Sequence, residues 1–246
     1  MPLYYAMPIV YACIVPSANA VDEASRTAGA LRRVAEELRA LEPETALVVT
    51  SRGGAQRSTM GVVTAPQIEG IDTDAELAER VLAEARASEV HVVALPRWDG
   101  GLDGLAALGE ALARARLLAI ATARLSPREH FELGRAIARA LEGYERHVAI
   151  VCAAGLSRAT APDEPGRAFD KHYRHAVEEW DVKWLVALDS ETRRRAAEDA
   201  VAQTAVLMGA LSGSRIQPRV LSYEAPDGAG ELVAAIDVLG PRRKGK

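Results

Sequence analysis

The chain has 246 residues, of which 49% are apolar and 26% are charged, and its formal net charge is −4 at pH 7. This composition is typical of a globular protein and excludes a disordered or fibrous chain. The small negative charge argues against nucleic-acid binding as the main task. We predict one domain over residues 1–240 and a basic tail over residues 241–246, which is either solvated or an interaction segment.

Two cysteines and the N-terminal apolar run bear on the cell compartment. Cys13 and Cys152 lie inside apolar runs, which favours reduced core thiols in a cytosolic protein. No Lys or Arg precedes Arg26, so the positive region of a signal peptide is missing. We therefore interpret residues 9–15 as a first strand and expect a cytoplasmic protein. No apolar stretch reaches the ~18 residues that a membrane-spanning helix needs.

Seven short apolar runs follow one another along the chain and predict strands. The runs are continuous rather than alternating, which indicates strands that are covered on both faces. They comprise residues 9–15, 46–50, 90–95, 117–122, 148–153, 220–223 and 232–236.

Amphipathic segments between these runs predict helices, because their apolar residues recur at three- and four-residue spacing. Residues 126–129, with the sequence Ser-Pro-Arg-Glu, form a capping box with proline at the first helical position. The predicted helices comprise residues 31–41, 77–85, 126–143, 166–179, 182–188 and 191–211.

This alternation predicts an α/β fold, with a mostly parallel central sheet and helices on both faces. In such sheets, ligands bind outside the carboxyl ends of the strands. Polar or turn-forming segments follow five of the predicted strands, so we expect any chemistry to lie there. These segments are residues 16–17, 51–54, 98–104, 155–158 and 222–226.

Several short segments together resemble the family of the protocatechuate 4,5-dioxygenase beta chain. This is the iron-binding catalytic chain of class III extradiol ring-cleavage dioxygenases, and its family also contains Memo-like proteins. The resemblance extends over residues 9–238 and rests on the order and spacing of the segments. They are Cys152-Ala153-Ala154-Gly155-Leu156-Ser157, Phe169-Asp170, Leu207-Met208-Gly209-Ala210-Leu211, Leu221-Ser222-Tyr223-Glu224 and Gly228-Ala229-Gly230.

The resemblance implies a site for Fe²⁺ built from two histidines and one glutamate, which leaves open positions for a catecholic substrate and O₂. By the same resemblance, Glu224 is the glutamate, whereas Ser17 and Arg52 stand at the two histidine positions. Asp103 is followed directly by glycine, so a further active-site histidine is missing. Arg158 stands where the family has its acid/base histidine.

We therefore predict a degenerate homologue without a cofactor, since the guanidinium of an arginine repels Fe²⁺. Without iron, Glu224 needs another cation or becomes a costly buried anion. Either Arg52 or Arg158 bonds this glutamate, or the two arginines bind a small anionic ligand together with Ser17 and Asp103. The protein is then a small-anion binder or a partner subunit, in a homo-oligomer or beside a histidine-intact homologous subunit. We expect neither nucleic acid nor membrane as a partner.

The alternative function is an active non-haem metal-dependent oxidoreductase of the same family with a rearranged site. Its ligands would be His172, His175 and Glu224, since the two histidines lie three residues apart on a predicted helix. We prefer the interpretation that this pair belongs to a solvated helix face. Ser157 is not followed by a histidine base, which argues against a role as a nucleophile.

Overall fold

The computed structural model describes residues 8–17, 23–51, 58–64, 71–96, 108–158 and 165–242. The strands in these ranges are β1 (Ile9–Val15), β2 (Thr45–Thr50), β3 (Met60–Val63), β4 (Val92–Leu95), β5 (Arg116–Ala121), β6 (Val148–Ala153), β7 (Ser214–Glu224) and β8 (Glu231–Pro241). They form one sheet in the order β4-β3-β5-β2-β6-β1-β8-β7.

The sheet is mixed but mostly parallel. β1 and β2 both pair in parallel with β6, and β5 pairs in parallel with β2. β7 runs in the same direction as β1, because β8 lies between them and is antiparallel to both. The carboxyl ends of β1, β2, β5, β6 and β7 therefore share one edge of the sheet, which we call the carboxyl edge.

The helices are α1 (Arg26–Leu41), α2 (Ala75–Ala87), α3 (Gly109–Leu112), α4 (Pro127–Ala140), α5 (Pro165–Glu178), α6 (Val182–Ala187), α7 (Ser190–Ala196) and α8 (Val201–Ala210). The side chains of Ser25, Asp74 and Ser126 cap the N-termini of α1, α2 and α4. The capping box predicted at Ser126 is confirmed. In the described part of the chain, no helix has the length and apolar character that crossing a membrane requires.

Helices cover both faces of the sheet, as predicted. Leu31 and Val34 of α1 pack on one face, whereas α2, α4, α5, α6 and α8 contribute to the core on the other face. β2 and β6 contain only buried residues, which agrees with their continuous apolar sequences.

Two glycines let α4 and α8 cross with their backbones in contact. A Cβ atom on Gly134 would stand 2.1 Å from the carbonyl oxygen of Val206. A Cβ atom on Gly209 would stand 2.2 Å from the carbonyl oxygen of Phe131. Since backbone atoms cannot move aside as a flexible side chain can, the two helices are held at a fixed separation.

The predicted α/β fold is confirmed, but several element boundaries differ. The strands predicted at residues 9–15 and 148–153 have the predicted bounds, whereas the last two strands are much longer than their apolar runs. The helix predicted over residues 191–211 is two helices, because Ala197 adopts a left-handed φ of 50° and ends α7. β3 and α3 were not predicted from the sequence.

Candidate functional site

The first residues after β1, β2 and β6 lie together at the centre of the carboxyl edge. These strands are neighbours in the sheet, so the residues that follow them lie side by side. Ser17 follows β1, Ser51 follows β2, and Gly155 follows β6 after one intervening residue. Both serines are buried. This is the place where ligands bind in sheets of this type.

Ser17 and Gly155 are in close contact. A Cβ atom on Gly155 would stand 2.8 Å from the Oγ atom of Ser17, which is less than a normal van der Waals separation. Glycine at position 155 therefore makes room for the serine hydroxyl.

Asp199, in the loop between α7 and α8, joins these segments. Its backbone N–H donates to the carbonyl oxygen of Gly155 at 2.8 Å, and the N–H of Gly155 donates to the carbonyl oxygen of Asp199 at 2.9 Å. The hydroxyl of Ser51 donates to Oδ2 of Asp199 at 2.5 Å. Gln203 Nε2 donates to Oδ1 at 3.3 Å. We call Ser17, Ser51, Gly155 and Asp199 the serine–aspartate cluster.

Opposing effects act on the proton affinity of Asp199. Burial is the largest and raises its pKa, whereas hydrogen bonds from Ser51 and Gln203 lower it. The charge of Glu198 raises the pKa further, and the charge of Arg158 lowers it. The net result is a raised pKa, so this carboxyl group accepts a proton more readily than an exposed aspartate does.

Glu224 lies in a second group at the same edge, beside the N-terminus of α1. Its Oε2 atom accepts the backbone N–H of Thr27 at 2.7 Å, and its Oε1 atom lies 3.3 Å from Nε of Arg26. Arg26 Nη2 also donates to the carbonyl oxygen of Tyr223 at 3.2 Å. The hydrogen bond from Thr27 is the main reason why the pKa of Glu224 is lowered. Both carboxylate oxygens are therefore already engaged by α1.

Glu231 faces Glu224 across the β7–β8 pair. Burial raises the pKa of Glu231, and the charge of Glu224 raises it further. Two facing carboxylates repel each other, so the cation supplied by Arg26 stabilises this end of the hairpin.

Asp170 contacts three of the segments that carry the family resemblance, through Ser157, Tyr223 and Gly230. The backbone N–H of Ser157 donates to its Oδ1 at 3.0 Å, and the hydroxyl of Tyr223 donates to its Oδ2 at 2.8 Å. A Cβ atom on Gly230 would stand 2.1 Å from the same Oδ2. Since Asp170 is fully buried, these contacts explain why an aspartate and a glycine occur here: they lock α5, the loop after β6 and the β7–β8 turn together.

The sequence predicted that Arg52 or Arg158 bonds Glu224. Among the described side chains, the cation that pairs with Glu224 is Arg26 rather than Arg158. The backbone N–H of Arg158 donates to Ala196 at 3.2 Å, its side chain is exposed, and its charge acts on Asp199. Arg52 and Asp103 lie outside the described residues, so the contacts expected of them remain predictions.

His172 and His175 lie on α5, and both are exposed. Within the described ranges, no group of three His, Cys, Asp or Glu side chains is arranged to hold a metal ion. The ligand set of the alternative function, with these two histidines and Glu224, is therefore not assembled.

Two residues that organise the carboxyl edge were not predicted from the sequence. Asp199 lies inside what was predicted to be one continuous helix, so its position at the start of α8 was hidden. Arg26 was used only as the first basic residue of the chain, in the argument against a signal peptide. The capping serine before it, Ser25, was the available signal, because it predicts a helix N-terminus that attracts a carboxylate.

Comparisons with known proteins agree with this fold. A family model described as the catalytic LigB subunit of aromatic ring-opening dioxygenase matches residues 113–233. Protein CA_C1420 from Clostridium acetobutylicum is 26% identical over 130 residues, which cover 50% of this chain and 28% of that protein. The crystal structure of the uncharacterized protein JW3007 from Escherichia coli K12 matches with a TM-score of 0.66 and 15% identity, covering 93% of this chain and 99% of that chain.

The structural match at 15% identity supports the fold, and the family model shows a similarity in sequence over residues 113–233. The matched residues 113–233 include Gly155, Asp170, Asp199 and Glu224, which shape the carboxyl edge. Over residues 113–233, just under half of its length, the chain is therefore similar to the catalytic LigB subunit of aromatic ring-opening dioxygenases.

Proposed function

We propose that this protein is a degenerate LigB homologue that binds a small anion at the carboxyl edge of its sheet and has no iron-dependent ring-cleaving activity. The observation that carries the proposal is the state of Glu224. This is the one family ligand that the sequence retains, and Arg26 and Thr27 engage both of its oxygens.

The residues present do not fit Fe²⁺. An iron ion at Glu224 would compete with the guanidinium of Arg26, at 3.3 Å, and with a backbone N–H at 2.7 Å. The two histidine positions carry Ser17 and Arg52. A neutral alcohol is a weak ligand for a divalent transition metal, and a guanidinium offers no lone pair.

The serine–aspartate cluster supports a binding role. Ser17 and Ser51 provide buried hydroxyls, while Arg158 provides an exposed cation whose field reaches Asp199. An anion bound beside Arg158 would disfavour the ionised form of Asp199, whose pKa is already raised. Anion binding should then be coupled to proton uptake, so that the affinity rises as the pH falls.

Titration calorimetry with two probes, inorganic phosphate and protocatechuate, tests this proposal. We expect saturable binding of at least one probe, with an affinity that rises as the pH falls toward the raised pKa of Asp199. Arg158→Ala should weaken it about tenfold or more, the usual worth of a charge-assisted hydrogen bond. Arg39→Ala is the matched control, because Arg39 is exposed in the last turn of α1, at the opposite edge of the sheet. Absence of binding by both probes, or an Arg158→Ala variant that binds as the wild type does, would refute the anion-binding role.

A second candidate function is that of a partner subunit. The specific observation is the coverage of the relative CA_C1420, because the match comprises only 28% of that protein. A region similar to half of this chain therefore occurs within a longer protein, and the second candidate places this chain beside a partner subunit. Size-exclusion chromatography with light scattering, with and without a histidine-intact homologue, distinguishes a monomer from either assembly.

A further inference from the structure

His130, on the first turn of α4, is fully buried and is held in one neutral form. Its Nδ1 atom lies 2.9 Å from the carbonyl oxygen of Ser126, and its Nε2 atom lies 3.2 Å from the backbone nitrogen of Ala123. A carbonyl oxygen can only accept and a backbone N–H can only donate. Nδ1 therefore carries the proton, and Nε2 is the acceptor.

Protonation of this ring would break one of the two hydrogen bonds. A doubly protonated imidazole has no acceptor, so the N–H of Ala123 would lose its partner and face a second N–H. The charged groups whose fields act on the ring are Glu129 on its own helix, Arg193 on α7 and Glu198 before α8. Burial is the largest effect and lowers the pKa of His130, and Arg193 adds to this lowering.

A continuous set of contacts leads from His130 to the serine–aspartate cluster. Arg193 Nη1 donates to the carbonyl oxygen of Leu125, inside the loop that His130 holds, and Nε of the same arginine lies 2.5 Å from Oε1 of Glu198. The Glu198 side chain is 1% exposed. Its Oε2 accepts the backbone N–H groups of Ala200 and Val201 at 2.7 and 2.8 Å, which fixes the start of α8.

Asp199 lies between Glu198 and Ala200, so the same contacts fix its backbone. Helix packing gives a second connection, because α4 begins near His130 and α8 begins after Asp199. The two helices touch through Gly134 and Gly209 without intervening side chains. A displacement of the first turn of α4 would therefore be transmitted to α8.

We propose that His130 is a pH-sensitive latch for the candidate site: its protonation releases the loop before α4, and through Arg193 and Glu198 it loosens the loop that holds Asp199 against Ser51 and Gly155. This inference concerns the regulation of the site in the proposed function, and it rests on that function only for its biological use. The coupling itself needs no ligand. It is a property of the ligand-free chain.

Hydrogen exchange of individual amides between pH 7.5 and 5.0, expressed as protection factors, tests the latch. The amide of Ala123 should lose protection by up to about tenfold per pH unit below the ordinary histidine pKa, since one proton is linked to the opening. The amides of Asp199 and Gly155, which pair with each other, should lose protection with the same midpoint. Val48, in the buried strand β2, is the control for global unfolding and should stay protected.

His130→Gln should remove the pH dependence at Ala123 and Asp199 together, whereas His172→Gln, at an exposed position on α5, should leave it intact. If His130→Gln does not fold, ¹⁵N chemical shifts of the wild-type ring supply the second measurement. The ring should then titrate below the ordinary histidine pKa, at the acid end of the pH range in which Asp199 loses protection.

Loss of protection at Ala123 with constant protection at Asp199 and Gly155 would overturn the proposal, as would parallel loss at Val48. A chain that shows the coupled loss but binds neither phosphate nor protocatechuate would retain the latch and refute the anion-binding function. The His130 latch and the anion-binding function can therefore be refuted independently of each other.

Discussion

The carboxylate of Glu224 accepts the backbone N–H of Thr27 at 2.7 Å, so the last residue of β7 caps the first turn of α1. The family resemblance assigns this glutamate to iron, yet here it serves a helix terminus and the cation of Arg26. This pairing of Glu224 with the start of α1 leads to the first prediction.

Arg26 and Glu224 should be coupled energetically, whereas Arg158 and Glu224 should not. In a double-mutant cycle with Arg26→Ala and Glu224→Gln, we expect losses that do not add, because either change removes the same ion pair. Each single change should lower the Tm by only a few degrees, since Arg26 is largely exposed. The control cycle with Arg158→Ala should be additive. Additivity in the first cycle and coupling in the second would contradict the structural assignment.

Gly155→Ala should destabilise the protein because its Cβ would collide with Ser17. A Cβ–Oγ separation of 2.8 Å forces a shift in a packed region, which typically costs about 1–3 kcal/mol. Ser17→Ala removes the hydroxyl, so the double variant should be more stable than Gly155→Ala alone. Urea denaturation of the wild type, the two single variants and the double variant measures this. A double variant no more stable than Gly155→Ala would contradict a collision between Cβ and the Ser17 hydroxyl.

The negative charge of Asp199 should lower the free energy of unfolding because the group is partly buried, whereas its hydrogen bonds should raise the free energy of unfolding. Asp199→Asn keeps an acceptor for Ser51 and removes a partly buried charge, so we expect unchanged or increased stability at pH 8. Asp199→Ala leaves the buried hydroxyl of Ser51 without its acceptor and should cost about 1–3 kcal/mol.

The pH dependence of this comparison follows from the raised pKa of Asp199. Between its ordinary and its folded-state pKa, the folded protein binds more protons than the unfolded chain does. The contribution of Asp199 to stability therefore increases as the pH falls through the folded-state pKa. The advantage of Asp199→Asn should shrink toward acid pH, and an advantage that grows there would refute the assignment.

Alanine at Gly134 or Gly209 should prevent the close crossing of α4 and α8. The added Cβ would stand 2.1 or 2.2 Å from a backbone oxygen, and backbone cannot move aside cheaply, so we expect a loss of at least ~3 kcal/mol or failure to fold. Gly109→Ala is the control, since nothing lies within 4 Å of a Cβ there. Thermal unfolding of the three variants tests this, and a wild-type Tm for Gly209→Ala would contradict the described packing.

The fold was largely predictable from the sequence, because buried strands give continuous apolar runs. β1 and β6 lie at the centre of the sheet, and their predicted bounds are the observed ones. The edge strand β7 was predicted too short, since exposed residues such as Arg215 and Gln217 interrupt its apolar pattern. α7 ends because Ala197 adopts a left-handed backbone conformation. Since Ala197 is not glycine, the sequence gives no signal that predicts this helix end.

The candidate site was less predictable, because its partners are far apart in the chain. The sequence predicted a cation beside Glu224 from Arg52 or Arg158, whereas the cation observed there among the described residues is Arg26. The predicted cations were the arginines at the positions where the family has histidines. The observed cation, Arg26, lies instead in the first turn of α1. Ser51 and Asp199, separated by 148 residues, become partners only once α8 is placed against the sheet.

Anaerobic incubation with Fe²⁺, followed by desalting and elemental analysis, tests the central claim most directly. We expect well under one equivalent of retained iron and no O₂ uptake with catechol or protocatechuate. The variant with Ser17→His and Arg52→His restores the family's histidine positions and serves as the comparison, with iron retention above that of the wild type. Stoichiometric iron in the wild-type protein that is lost in Glu224→Gln would contradict the account.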